Sequence, residues 1–173
     1  MRETAEDLDR LQALLDASYA AAGPHLRDVV TPDRRLTARA VSDLLIGVQV
    51  LDLATVSAAG RPLVGPVDGL LFRGRLYFGS SPDAVRTRHL RRNPAVSAAH
   101  TRGEALAVVA HGDARIVNLH VDEQAEFRAC LLDTYVPRYG AGWETFASGA
   151  VYWRIDARRL FAASFPPPGP PEC

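Results

Sequence analysis

Val50-Leu51-Asp52-Leu53-Ala54-Thr55-Val56-Ser57-Ala58, followed at once by Ala59-Gly60-Arg61-Pro62, is where the chain changes its period. Upstream, apolar residues recur at helical spacing. From Val50 they come in short runs broken by turn residues at intervals of roughly 8 to 15, the pattern of strands. The run 50–58 closes on that turn, 63–72 closes on Arg73-Gly74, and 75–79 completes a three-strand meander. Strand-like runs return at 95–101 and 105–117, joined by Arg102-Gly103-Glu104, and a last one fits 150–164. Six antiparallel strands predict a mostly β fold with flanking helices, a small barrel whose edges are removed by closure and whose ends are covered by helices.

Working outward, residues 1–48 read as a helical N-terminal extension. Thr4 with Asp7 three positions on resembles a capping box, and the amphipathic run through Leu8, Leu11, Leu14 and Leu15 predicts a helix to about Ala22, stopped by Gly23-Pro24. A second helix is expected from Thr37 or Ala38 to about Gly47, with Val41, Leu44 and Leu45 on one face. Residues 122–135 read as a helix with Phe127, Cys130, Leu131 and Thr134 inward. The run 165–173 is a proline-rich, extended tail. No internal repeat or linker divides the 173 residues, so a single domain is expected.

All 20 basic residues are arginine. This excludes a lysine Schiff base, a lysine-anchored pyridoxal cofactor and a lysine-bearing P-loop. Twenty acids balance the arginines, so no whole-molecule field draws the chain to nucleic acid or to an anionic membrane. Cys130 and Cys173 form neither a metal-ligand spacing nor a disulfide framework, and a cytoplasmic setting is expected. No metal site is expected, and no run of about 18 apolar residues is present to span a bilayer.

The chemistry concentrates in Gly79-Ser80-Ser81-Pro82-Asp83-Ala84-Val85-Arg86-Thr87-Arg88-His89-Leu90-Arg91-Arg92. A strand end, a serine fit for an N-cap, proline at the first helical position and an acid in the first turn predict a helix ending before Asn93-Pro94. Its N-terminus, the two serine hydroxyls and the nearby arginines make a candidate phosphate cradle, against the plainer reading of a solvated basic helix. Arg86 and Arg88 lie about 200° apart on a regular helix, and Arg86, nearer the cap, is the stronger candidate.

These residues resemble the pyridoxamine 5'-phosphate oxidase-like split barrels. The resemblance runs from Leu53-Ala54-Thr55-Val56-Ser57 and Gly60-Arg61-Pro62 through Val64-Gly65-Pro66-Val67-Asp68-Gly69 and Leu76-Tyr77-Phe78-Gly79-Ser80-Ser81. It continues into 86–97 and Ala110-His111-Gly112-Asp113-Ala114. It implies a six-stranded antiparallel split β-barrel and a homodimer with FMN, or the deazaflavin coenzyme F-420, at the subunit interface. Arg86 then matches the residue that holds the cofactor phosphate, Ser80 and Ser81 the polar pair beside it, and Arg88 a residue sharing that role in the deazaflavin branch. Thr55, Val56 and Ser57, with Pro66, Val67 and Asp68, match strands lining the ring. Two basic residues of the oxidase's second strand are replaced by Gly65 and Leu70, and its C-terminal substrate motif is absent, so oxidation of pyridoxamine phosphate is not expected.

Asp68 is expected half-buried on its strand. It reads first as the partner of a nearby arginine, and otherwise as a group touching the cofactor or moving a proton. His100 and His111 read as structural histidines, with cofactor contact or haem ligation as the alternative. Tyr152 and Trp153 read as packing residues. The leading functional expectation is a flavin- or deazaflavin-dependent oxidoreductase acting on an unknown small molecule, with no catalytic residue assigned. A non-catalytic flavin- or haem-binding storage, sensor or delivery protein is the alternative.

Overall fold

A computed structural model describes residues 3–165. The proline run after Phe165, and Cys173, lie outside the described residues. Helix α1 (Ala5–Ala20) opens on the expected capping box. The Asp7 N–H donates to the Thr4 hydroxyl at 3.2 Å, and the Thr4 N–H donates back to the Asp7 carboxylate at 2.9 Å. Gly23-Pro24 ends this region but also starts α2 (Pro24–Val29), because proline at the first helical position costs no hydrogen bond. That short helix escapes a periodicity reading. A 3-10 turn at Pro32–Arg34 leads to α3 (Ala38–Leu44), capped by the Thr37 side chain.

The strands are β1 (Gln49–Val56), β2 (Pro62–Phe72), β3 (Arg75–Ser80), β4 (Ala95–Arg102), β5 (Leu106–Val117) and β6 (Val151–Ser164). They close in the order β1-β2-β3-β6-β5-β4, every pair antiparallel. Closure is thinnest between β1 and β4, which pair only from Asp52↔Ala99 to Ala54↔Ser97. Alternation does the sorting: Leu51, Leu53, Val67, Leu71, Leu76, Phe78, Val108, Ala110, Trp153 and Ile155 turn inward into one core. Full burial of each such aliphatic side chain is worth roughly 1.5–3 kcal/mol. Trp153 lies parallel to Phe78, interplanar angle 12°. Its indole N–H is buried without a partner among the described residues, a cost that the ring's packing must offset.

Past Ile155, β6 has no further β3 partner, since β3 begins at Arg75. Helix α1 takes over part of that open side: the Leu160 N–H donates to the Ser18 hydroxyl at 2.9 Å, and the Tyr19 hydroxyl donates to the Ala162 carbonyl at 2.7 Å. The extension therefore covers a strand edge that would otherwise be available for pairing. Leu11 and Leu15 of α1, with Val41 of α3, join the core from this end.

Between β5 and β6 the chain leaves the barrel as α5 (Ala125–Tyr139) and α6 (Trp143–Ser148). These helices bury Phe127, Cys130, Leu131, Tyr135 and Trp143 against Leu70, Phe72, Tyr77 and Tyr152 on the barrel's outer face. The inward position predicted for Thr134 falls to Tyr135, whose ring covers more apolar area, while Thr134 is half-buried. Helix α4 (Val85–Arg92) packs on the end of β1 through Thr87, His89 and Leu90. It starts later than predicted. The Ser81 hydroxyl accepts from the Asp83 N–H at 3.3 Å and the Ser81 carbonyl accepts from the Ala84 N–H at 3.1 Å, so Ser81 closes a turn and does not cap the helix.

Candidate functional site

The outer face of β2, β3 and β6 meets the start of α4 and the α5–α6 excursion in an open cleft of about 810 Å³. Of the residues singled out from sequence, Val67, Asp68, Ser80, Ser81 and Arg86 line it. Alternation along β2 brings Asp68 to the outer face, while Ser80 sits at the last position of β3, nearly buried. Arg86 reaches across from α4, its Nη1 donating to the Pro66 carbonyl at 3.0 Å. Pro66 thus holds the arginine through its backbone.

The Arg86 guanidinium lies against Gly65, where a Cβ would come within 3.2 Å of Nη2. Gly65 is one of the two positions where the sequence departs from the basic residues of the resembled oxidase, and a guanidinium from the neighbouring helix occupies the space beside it. Among the described residues Arg86 forms no ion pair, and neither does Asp68, which is exposed. Asp68 is therefore not the half-buried arginine partner that its strand context suggested: its face of β2 opens on the cleft.

The other sequence candidates lie elsewhere. Thr55 is 1% exposed inside the barrel, its hydroxyl 3.0 Å from His89 Nδ1. Val56 is half-buried, and its carbonyl accepts from Arg92 Nη2 at 3.2 Å. The Ser57 hydroxyl closes the β1–β2 turn by accepting from the Arg61 N–H at 3.0 Å. Arg88 donates to the Asp83 carbonyl at 2.6 Å, back over its own turn, because the regular helix from Val85 sends it away from Arg86. His100 bonds the Val50 carbonyl at 2.9 Å and His111 the Ser97 hydroxyl at 2.8 Å, and neither lines the cleft. Among the described residues no three of His, Cys, Asp and Glu gather as a metal site. Among the described residues no helix is long and apolar enough to cross a membrane.

The aromatic wall was not foreseen. Tyr135 stacks on Trp143 at a centroid distance of 4.6 Å and 6° between planes, and Tyr139 stacks on Tyr135 at 6.1 Å and 20°. With Tyr152, read from sequence as packing, these rings form one side of the cleft. Burial pushes the Tyr152 hydroxyl up to about 12. Burial, and next the Asp68 carboxylate, push Tyr135 higher still. Both hydroxyls stay protonated over the working range and can donate hydrogen bonds. The cleft thus offers one unpaired guanidinium and two serine hydroxyls near its α4 rim, a carboxylate, and a flat apolar wall.

The fold places the chain among split barrels of the kind seen in pyridoxamine 5'-phosphate oxidase-like structures. A conserved hypothetical protein from Mycobacterium tuberculosis superposes with a TM-score of 0.66 at 20% identity, over 83% of this chain and 97% of the other. A FAD-binding protein from Mesorhizobium loti gives 0.58 at 21%, over 77% and 98%. HutZ, the haem storage protein of Vibrio cholerae, gives 0.57 at 23%, over 68% and 87%. No protein-family model matches the sequence, and no curated protein matches it by sequence.

Proposed function

We propose that the cleft binds a flavin-type cofactor, FMN or the deazaflavin coenzyme F-420, and that the protein is an oxidoreductase acting on a small molecule. The observation that carries this is Arg86, a guanidinium without a carboxylate partner, held by a backbone carbonyl at the mouth of an aromatic-walled cleft that also presents Ser80 and Ser81. An arginine left unpaired is suited to a phosphate. The cleft's size is in the range of cofactor sites, and its lining of apolar walls with few polar groups is typical of them. Similarity in fold to a FAD-binding protein supports the reading. A bound flavin or deazaflavin would supply the hydride chemistry.

The residues would divide the remaining work. Arg86, Ser80 and Ser81 hold the phosphate end, Tyr135, Trp143 and Tyr152 exclude water along one side, and Asp68 or the Tyr135 hydroxyl donates or accepts a hydrogen bond at the ring. Thr55 takes no part, being closed inside the barrel. Storage of haem, the role of the Vibrio cholerae neighbour, is the less favoured reading because no histidine lines the cleft.

The outer face of β1 and β2 next to the cleft exposes Val50 at 57% and Val64 at 63%, beside Ala54, Val56 and Pro66, with the exposed Asp52 among them. A patch of this kind marks a contact surface. We propose that a second copy covers it and closes the cleft, giving a homodimer of twice the 18.8 kDa chain mass in sedimentation. Enzyme and storage protein are separated by loading the protein with reduced FMN or reduced F-420 without oxygen and adding quinone or enone acceptors. Faster reoxidation than the free cofactor with at least one acceptor is expected. Slower reoxidation with every acceptor, and cofactor retained through purification, would overturn the enzyme reading.

A further inference from the structure

A second cavity shares no lining residue with the cleft. It encloses about 540 Å³ on the open side of β6, between the point where β3 stops pairing at Ile155 and the point where α1 takes over at Leu160. The strand between is bulged: His111 faces Arg159 and Gly112 faces Ala157, leaving Arg158 as the extra residue. Bulges re-aim side chains in this way next to sites. Here the bulge puts Arg158 on the cavity's rim beside Asp113, 3.5 Å away.

Inside, the cavity is aliphatic. Leu14, Leu71, Val108, Ala110 and Leu160 are among its walls, and it has no aromatic lining residue, in contrast to the cleft. Its rim carries Arg10, Arg75, Arg154 and Arg158 with Asp113 and Asp156; Arg10 is paired with Asp7, so three arginines stand against the two rim acids. Asp156 is shared among Arg154 at 2.7 Å, Arg75 at 3.4 Å and Arg115 at 3.8 Å. Burial pushes the Asp156 carboxyl up, and the hydrogen bond and charge of Arg154, with the charges of Arg75 and Arg115, bring it below its ordinary value. Each guanidinium has five donors, and Asp156 meets only part of that capacity: Arg154 gives it two N–H groups and also hydrogen-bonds Tyr77, while Arg75 reaches it with one. Arg158 is 70% exposed, with Asp113 at 3.5 Å.

We propose that this cavity is a binding site for an amphipathic anion, a carboxylate on an unbranched aliphatic tail. The tail lies between α1 and the barrel, and the head rests among Arg75, Arg154 and Arg158. Surplus positive charge selects the anion, and the absence of rings in the wall selects a flexible chain over a planar one. The proposal does not depend on what the cleft holds.

Isothermal titration calorimetry of the full chain with decanoate, decanol and decylammonium tests it. Decanoate should bind once per chain and decanol about tenfold more weakly, because the alcohol forgoes the charge-assisted hydrogen bonds. Arg158→Gln, a substitution at an exposed side chain, should weaken decanoate about five- to tenfold. Leu14→Trp should block the site, and Arg86→Gln in the cleft should change nothing. Equal affinity for decanol, an unchanged Arg158→Gln, an effect of Arg86→Gln as large as that of Arg158→Gln, or no decanoate binding at millimolar concentration would each overturn the assignment.

Discussion

The cleft and the barrel-end cavity both set arginine beside apolar walls, aromatic in one and aliphatic in the other, and differ in how their arginines are satisfied. In the cleft a single guanidinium stands without a carboxylate, against glycine and a backbone carbonyl, facing aromatic rings. At the barrel end Arg75, Arg115 and Arg154 share Asp156 and Arg158 pairs with Asp113, over aliphatic walls. The first arrangement leaves one charge for one ligand group. The second uses part of its charge to hold the strand ends together. A basic residue is therefore informative about ligands only after its protein partners are subtracted. In α4, Arg86, Arg88 and Arg92 look alike in sequence, yet only Arg86 lines the cleft.

The largest effect should come at the bulge. A Cβ on Gly112 would lie 2.2 Å from the Asp156 carbonyl oxygen and 2.8 Å from the Ala157 Cα, both backbone atoms. Gly112→Ala should cost about 3 kcal/mol or more in denaturant unfolding, showing that the barrel end rests on backbone geometry. An effect below 1 kcal/mol would mean the two strands separate easily there.

In the cleft, Arg86→Ala should lower flavin phosphate affinity roughly ten- to a hundredfold, as expected for losing about 1.5–3 kcal/mol of charge-assisted hydrogen bonding. Arg92→Ala should be near neutral, since Arg92 donates to the Val56 carbonyl and does not line the cleft. Equal losses would reduce α4 to a generic basic surface.

The barrel end should also be the acid-sensitive part. Burial pushes the Asp7 carboxyl up, but hydrogen bonds from the Thr4 N–H and hydroxyl, and from Arg10 and Arg73, outweigh it and hold it at about 2, below its ordinary 3.8. The folded value is the lower one, so the stabilisation is present above the unfolded value and is lost as pH falls through about 2. It amounts to roughly 2 kcal/mol, readable as the difference in urea unfolding between Asp7→Asn and the parent at neutral pH, a difference that should vanish in strong acid. The smallest effect is expected at Gly65→Ala. The new Cβ meets the mobile end of Arg86 at 3.2 Å, and a shift of affinity of about twofold is expected in the same cofactor titration.

Much of the barrel is legible in the sequence because alternation and turn residues mark strands directly. The six predicted runs differ from the observed strands mainly at their ends. The site is less legible. Ser80, Ser81, Arg86, Val67 and Asp68 converge, but Thr55 follows Leu51 and Leu53 at a spacing of two, and that parity alone puts it inside the barrel. The aromatic wall escaped because α6, six residues long, is too short for a helical period, and because Tyr135 and Trp143 meet across the Gly140–Gly142 turn. The later start of α4 reflects turn chemistry at Ser81 that competes with capping by the same hydroxyl.

The central claim is that the cleft holds a flavin-type cofactor. Its most direct test is the visible absorption spectrum of the purified full chain, alone and titrated with FMN, FAD and F-420. A shifted, saturable band at one cofactor per chain, attenuated in Arg86→Ala and intact in Arg92→Ala, is the predicted result. A spectrum that stays the sum of free cofactor and protein for all three compounds would contradict it.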